Sequence, residues 1–301
     1  MRHHTSTGIW ILAAAFLFTA AGGAQDFSHI QIKTDKVRDN LFMLSGGGGN
    51  IGVLTGPEGI LMIDAMYGEL HDKIMAAISG FESPRIRYLI LTHIHFDHTG
   101  GCEKFGKLGA NIIAHGNVRS RMQEEWVHPI SPSKIPPYPD IALPAIVYDK
   151  ALTLHFNGEE IRLLYLGGGH TDGDTVIHFK KANVIHTGDL VFADAYPFID
   201  VPHGGSIDGI LKILEVILSM TNSDTKIIPG HGPLYSPQDL RQYRDMLSSL
   251  RNRVAEMIGQ KKTLDEILAA KPTKEYDARY KLAFPPDEIV KLLYSDLIRM
   301  K

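Results

Sequence analysis

Beyond residue 25, short apolar runs end in glycine-rich turns and alternate with stretches of helical spacing. Apolar runs at 40–44 and 51–54 flank the loop Ser45-Gly46-Gly47-Gly48-Gly49-Asn50. A Gly56-Pro57-Glu58-Gly59 turn then leads into Ile60-Leu61-Met62-Ile63 and Asp64. This pattern predicts an early antiparallel sheet. Leu70, Ile74, Ala77 and Ile78 give 69–79 the spacing of a helix, and 85–92 is a buried strand that stops abruptly at a run of His and Asp. A helix at 103–108 and a strand at 111–114 continue the alternation. Residues 129–144 hold six prolines and are expected to form a loop.

Strands follow at 151–156, 161–166, 175–179 and 183–186, and another at 226–228. Between the last two, Ser206 caps a predicted amphipathic helix with Ile207, Ile210, Leu211, Leu214, Ile217 and Leu218 on its apolar face. The tail reads as helical: Ser236-Pro237 starts one helix with proline at its first position, and Thr263 with Glu266 forms a capping box for another. Layered sheets and helices of the α/β class are expected over 25–235, with a helical C-terminal extension over 236–301 packed on the same domain.

The first 24 residues carry a different signal. Arg2, His3 and His4 precede an apolar run from Ile9 to Ala21, and Gly22-Gly23-Ala24 closes it. This is the pattern of a secretory signal cut after Ala24, placing the mature chain in the periplasm or outside the cell. The run is shorter than the roughly 20 residues of a spanning helix, so no stable membrane insertion is expected after cleavage.

Composition narrows the chemistry. The 301 residues are 44% hydrophobic and 22% charged, as in an ordinary globular core, and the net charge of −3 provides no basic face for nucleic acid. The single cysteine, Cys102, excludes a disulfide framework and a multi-cysteine metal site. The 15 histidines make imidazole the expected carrier of chemistry.

They are not scattered evenly. In Thr92-His93-Ile94-His95-Phe96-Asp97-His98, four side chains able to bind metal fall in six consecutive positions directly after an apolar strand. Strand ends feeding loops are where a rigid scaffold presents ligands. His93 and His95 share a face if the chain stays extended, and Asp97 with His98 could serve a second ion. Three further segments, Gly169-His170-Thr171, Thr187-Gly188-Asp189 and Gly230-His231-Gly232, each place a metal-capable residue beside glycine after an apolar run.

In this order and at these intervals, the four segments resemble the metallo-β-lactamase superfamily. The resemblance implies a four-layer αβ/βα sandwich with a metal site at one edge, between the sheets. It implies His93, His95 and His170 as ligands of a first metal, Asp97, His98 and His231 as ligands of a second, and Asp189 as a bridge. Asp64 matches the family's early aspartate, which supports the site without ligating. Imidazole and carboxylate without thiolate suit zinc, two ions per chain, with manganese or iron as other candidates.

Two dications with Asp97, Asp189 and one hydroxide leave a residual positive charge, suited to an anionic transition state. The expected activity is zinc-dependent hydrolysis, in which a hydroxide bridging the metals opens a cyclic amide (β-lactam), lactone or ester, with Asp97 and Asp189 as the catalytic carboxylates. The alternatives are a thioesterase similar to glyoxalase II, an iron-dependent sulfur dioxygenase and a non-catalytic metal-binding protein. A small-molecule substrate is expected to meet loop residues: the Gly46–Asn50 loop, Trp126 to Tyr138, or Tyr196-Pro197-Phe198. His203-Gly204-Gly205-Ser206, ahead of a helix, could hold a substrate carboxylate unless Ser206 serves only as the cap.

Overall fold

The computed structural model describes residues 26–127 and 134–299. The expected secretory signal and part of the proline-rich loop lie outside them. Strands β1 (Lys33–Lys36), β2 (Leu41–Ser45), β3 (Ile51–Leu54) and β4 (Ile60–Ile63) form the expected antiparallel meander. Helix α1 (His71–Ile78) then crosses to β5 (Ile86–Ile90), parallel to β4. The short helices α2 (Phe96–Thr99) and α3 (Cys102–Lys107) lead to β6 (Asn111–His115), followed by α4 (Gly116–Met122).

A small pair, β7 (Trp126–Val127) and β8 (Lys134–Ile135), precedes β9 (Ile146–Tyr148), which completes a seven-stranded sheet in the order β1-β2-β3-β4-β5-β6-β9. The second sheet runs in order through β10 (Ala151–Phe156), β11 (Glu159–Tyr165), β12 (Thr175–Phe179), β13 (Val184–His186) and β14 (Lys226–Ile228). It is antiparallel except for the β13–β14 pair. Helix α5 (Ile207–Ser219) joins these two strands, and α6 (Pro237–Gly259), α7 (Leu264–Ala269) and α8 (Pro286–Arg299) follow.

The layering follows from the apolar pattern of the strands. In β4 all four residues are buried, but they serve two cores. Leu61 and Ile63 pack between the sheets with Ile161, Leu163 and Ile177 of the second sheet. Ile60 and Met62 turn the other way, toward Ile74 and Ile78 of α1 and Phe105 of α3. A strand covered on both faces reads as an unbroken apolar run. The second sheet is covered on its outer face by α5, α6 and α8 through Ile210, Leu214, Leu247 and Leu293. The result is helix, sheet, sheet, helix, as the resemblance implies. Ser206 caps α5, and both capping boxes of the tail are present, Ser236 with Asp239 and Thr263 with Glu266.

The proline-rich segment departs from its expected structureless form. Lys134–Ile135 pairs with Trp126–Val127, and Asp140–Ala142 makes a 3-10 turn. Trp126, buried beside the histidine cluster, anchors this ribbon. Cys102 is a buried free thiol whose pKa burial pushes up, which fits a packing role.

Candidate metal centre

All seven predicted ligands lie at the carboxyl ends of strands, along one edge of the two sheets. The chain leaving β5 supplies His93 and His95, and α2 supplies Asp97 and His98. His170 lies in the β11–β12 connection, Asp189 in a 3-10 turn after β13, and His231 just beyond β14. A hydrogen bond from the Thr175 N–H to the Thr92 carbonyl (2.8 Å) and one from the Asn50 N–H to the Gly230 carbonyl (2.7 Å) join the two sheets at this edge.

The side chains converge into two groups. Ligand atoms of His93, His95, His170 and Asp189 lie within 4.8 Å of one another, as do those of Asp97, His98 and His231. Asp189 faces both. Its Oδ2 is 3.6 Å from Nε2 of His93 and of His170, and 3.3 Å from Nε2 of His231; its Oδ1 is 3.1 Å from Nε2 of His98. Asp97 Oδ2 lies 3.3 Å from His231 Nε2 and 3.7 Å from His98 Nε2.

Hydrogen bonds behind the ligands fix which nitrogen each imidazole turns inward. His170 Nδ1 donates to the Phe198 carbonyl at 2.9 Å, and His95 Nε2 donates to Asp200 Oδ2 at 2.8 Å. The inward atoms, His170 Nε2 and His95 Nδ1, therefore face each other as acceptors at 2.8 Å. His98 Nδ1 donates to Asp64 Oδ2 at 2.7 Å and turns its Nε2 toward His231 Nε2, 3.3 Å away. The Thr92 hydroxyl donates to the same Asp64 oxygen at 2.7 Å and accepts from His93 Nδ1 at 3.0 Å. That leaves His93 Nε2 buried with no hydrogen-bond partner among the described residues, while Asp189 Oδ1, also buried, meets only the His98 ring at 3.1 Å. Buried polar atoms without partners are costly, and lone pairs aimed at one another repel. Both features are relieved by a cation in each group, so the donor set fits a pair of divalent metal ions.

The charges divide in the same way. Burial, reinforced by the other imidazoles, keeps His93 neutral well below its ordinary range and lowers His170 to about 4. For His98 and His231 burial also opposes the proton, but Asp189 and Asp97 outweigh it and lift His231 to about 9. Burial acts against ionisation of Asp97, yet His98 and His231 bring it down to about 2, and Asp189 is held below the carboxylate range in the same manner. Protons thus take up the carboxylate charge on the Asp97 side, where a bound metal would displace them.

Asp64 holds its position from below, as expected of a supporting residue. It is fully buried, adopts a left-handed backbone (φ 64°) and also accepts from the Thr92 N–H at 2.8 Å. Asp200 is the residue missing from the sequence reading. Its carboxylate takes His95 on one side and His203 Nδ1 at 2.8 Å on the other, while its N–H donates to the His170 carbonyl at 2.9 Å.

The expected substrate loops fare unevenly. Gly49 packs against the His98 ring, so the Gly46–Asn50 loop buttresses the ligands. Trp126 stacks near His95, with ring centroids 6.2 Å apart. Tyr196 instead closes the core, fully buried, with its hydroxyl donating to Asp277 at 2.8 Å. The carboxylate-binding role weighed for 203–206 is overturned. The Ser206 N–H donates to the Gly169 carbonyl at 2.7 Å, the Gly205 N–H to the Asp200 carbonyl at 2.8 Å and the Ile207 N–H to Asp296 Oδ2 at 2.8 Å.

The description "metallo-beta-lactamase superfamily" belongs to the family model that matches residues 44–258, a span that runs past 235 and through most of α6. Among curated relatives, acyl-coenzyme A thioesterase MBLAC2 of Gallus gallus is 23% identical over 218 residues, 66% of this chain and 78% of that protein. Among solved structures, the sec-alkylsulfatase Pisa1 from Pseudomonas sp. aligns with a TM-score of 0.66 at 16% identity, covering 88% of this chain and 50% of its own. A metallo-beta-lactamase from Pontibacter korlensis aligns with a TM-score of 0.60 at 16% identity, covering 72% of this chain and 99% of its own. These two likenesses show the fold. The chain belongs to the metallo-beta-lactamase superfamily.

Proposed function

We propose that the two side-chain groups hold two zinc ions and that the chain uses them to hydrolyse a cyclic amide such as a β-lactam, a lactone or an ester. The chain is a metal-dependent hydrolase. The observation that carries the two-ion reading is the position of Asp189, whose two oxygens address both groups while one of them and His93 Nε2 lack any other partner. His93, His95 and His170 would hold one ion and Asp97, His98 and His231 the other, with Asp189 between.

Bound there, such ions make water nucleophilic near neutral pH and polarise a carbonyl. The protein supplies the rest. Asp64, Thr92, Asp200 and the Phe198 carbonyl keep the imidazoles oriented. Asp97, with 22% of its side chain exposed, is an ionised carboxylate at the opening and can take a proton on its way to the leaving group. Tyr67 stays protonated, because burial and the charges of Asp97, Glu69 and Asp189 oppose its phenolate, and is available there as a donor.

The thioesterase name of the Gallus gallus relative supports a second reading, a thioester as substrate. Metal analysis of purified protein, followed by a panel of nitrocefin, lactones, esters and thioesters, tests both. Two zinc ions per chain and turnover of an oxygen ester, lactone or β-lactam support the first reading. Turnover confined to thioesters selects the second, and a single iron with no hydrolysis defeats both. The signal-like segment at 1–24 supports export, which fractionation of expressing cells tests.

A further inference from the structure

Only three of the seven ligands keep appreciable exposure: His231 and Asp97 at 22% of their side chains, and His95 at 10%. A substrate must therefore approach across them, and what stands beside them is aromatic. Phe192 lies flat on His231, with centroids 4.9 Å apart and planes at 13°. Phe198 and Trp126 flank His95 at 6.0 and 6.2 Å. Tyr67 stands beyond Asp97, against the Gly48 backbone.

A further ring arrives from far along the chain. Phe284, in the segment between α7 and α8, packs 6.2 Å from Phe192 and 5.9 Å from Phe198 and is itself only partly buried. Leu282, two residues earlier, is 38% exposed and tied to the Asp194 carbonyl through its N–H. This segment lies beyond the matched residues 44–258.

A rim of rings favours contact with an apolar portion of a substrate.

We infer that Phe284, backed by the buried rings of Phe192 and Phe198, forms a subsite for an uncharged aryl or alkyl-chain portion of the substrate, and that the C-terminal extension thereby sets chain-length preference. The inference rests on the hydrolase reading for its substrate but not for its test.

Metal-loaded wild type, Phe284→Ala and Phe284→Leu would be compared on 4-nitrophenyl acetate and 4-nitrophenyl octanoate, with metal content and melting temperature recorded. Loss of this ring predicts a rise of about tenfold in KM for the octanoate in Phe284→Ala. Phe284→Leu should fall between, the acetate KM should stay within about twofold, and kcat should hold. Equal effects on both esters, or none, would overturn the subsite. Calorimetric binding of neutral 4-phenylbutyramide gives a readout without turnover. If neither ester is hydrolysed but the amide binds wild type more tightly than Phe284→Ala, the subsite stands and the ester as substrate class falls. Equal amide binding overturns the subsite.

Discussion

The Asp200 carboxylate lies 2.8 Å from His95 Nε2, so His95 can offer only its Nδ1 to a cation. The same residue reaches His170 through its backbone N–H and His203 through its other contacts, so one buried aspartate positions two of the three imidazoles in the first group. Partners behind a metal ligand fix its tautomer and raise its basicity, and losing one weakens binding by about 10–100-fold. Asp200→Asn can present its amide N–H or its oxygen to His95, but no charge. Its affinity for zinc, read by competition with a chromogenic chelator, should fall within that range while the fold survives. Wild-type affinity in this variant would remove Asp200 from the metal's support.

Asp189→Asn tests the sharing of one carboxylate between the two groups. The fold should persist, because Asn keeps the shape of the side chain against Gly230 and the turn's own backbone is held by the Val191-to-Gly188 and Gly230-to-Gly188 hydrogen bonds. Zinc content measured by atomic emission should drop from two per chain toward one, and turnover should fall by at least about a hundredfold, as for other losses of charge stabilisation at a reacting centre. Full occupancy with unchanged turnover would mean that each group binds its ion without Asp189.

Much of this centre is legible in the sequence. His93, His95, Asp97 and His98 are crowded directly behind an apolar strand, and the glycines beside His170, Asp189 and His231 mark close backbone approach. Asp200 gave no such signal. It sits in a segment without ligand spacing, and its partner His95 is 105 residues away, so only the packing of Asp200 and the 3-10 turn that follows it (Val201–His203) against the β11–β12 connection brings them together. Helix α4 was missed for a local reason, since its first N–H groups are met by a histidine: Asn117 N–H donates to His115 Nδ1 at 3.2 Å, and histidine is no usual cap. Strands β1 and β9 lie at sheet edges, mostly exposed, where apolar alternation is weak.

Gly49 offers a steric test of the second group. A Cβ at this position would run into the His98 ring at Cε1, Nδ1 and Nε2. The ring has nowhere to retreat, since its Nδ1 is fixed by buried Asp64. Gly49→Ala should therefore displace His98 and lower occupancy of the ion on the Asp97 side, while the other ion stays. Cobalt substitution reads this directly, as loss of one of two absorption-detected binding steps. Two intact steps would show that the loop yields instead of the ligand.

Away from the metals, His178 should shape the acid side of the stability profile. It is buried on β12, opposite Arg162 and two residues from Lys180, and burial with those two cations lowers its pKa from 6.5 to about 4. Between these values the unfolded chain binds more protons than the folded one. His178 therefore contributes stability that is full above about pH 6.5 and is lost as the pH falls toward 4. The loss is on the order of 3 kcal/mol by the end of that range, before any screening by solvent. In His178→Gln, urea unfolding at pH 7.5 and 4.5 should differ by that much less than in wild type, with terms from metal release at low pH common to both proteins. An identical pH dependence in the two would place the neutral imidazole outside the folding balance.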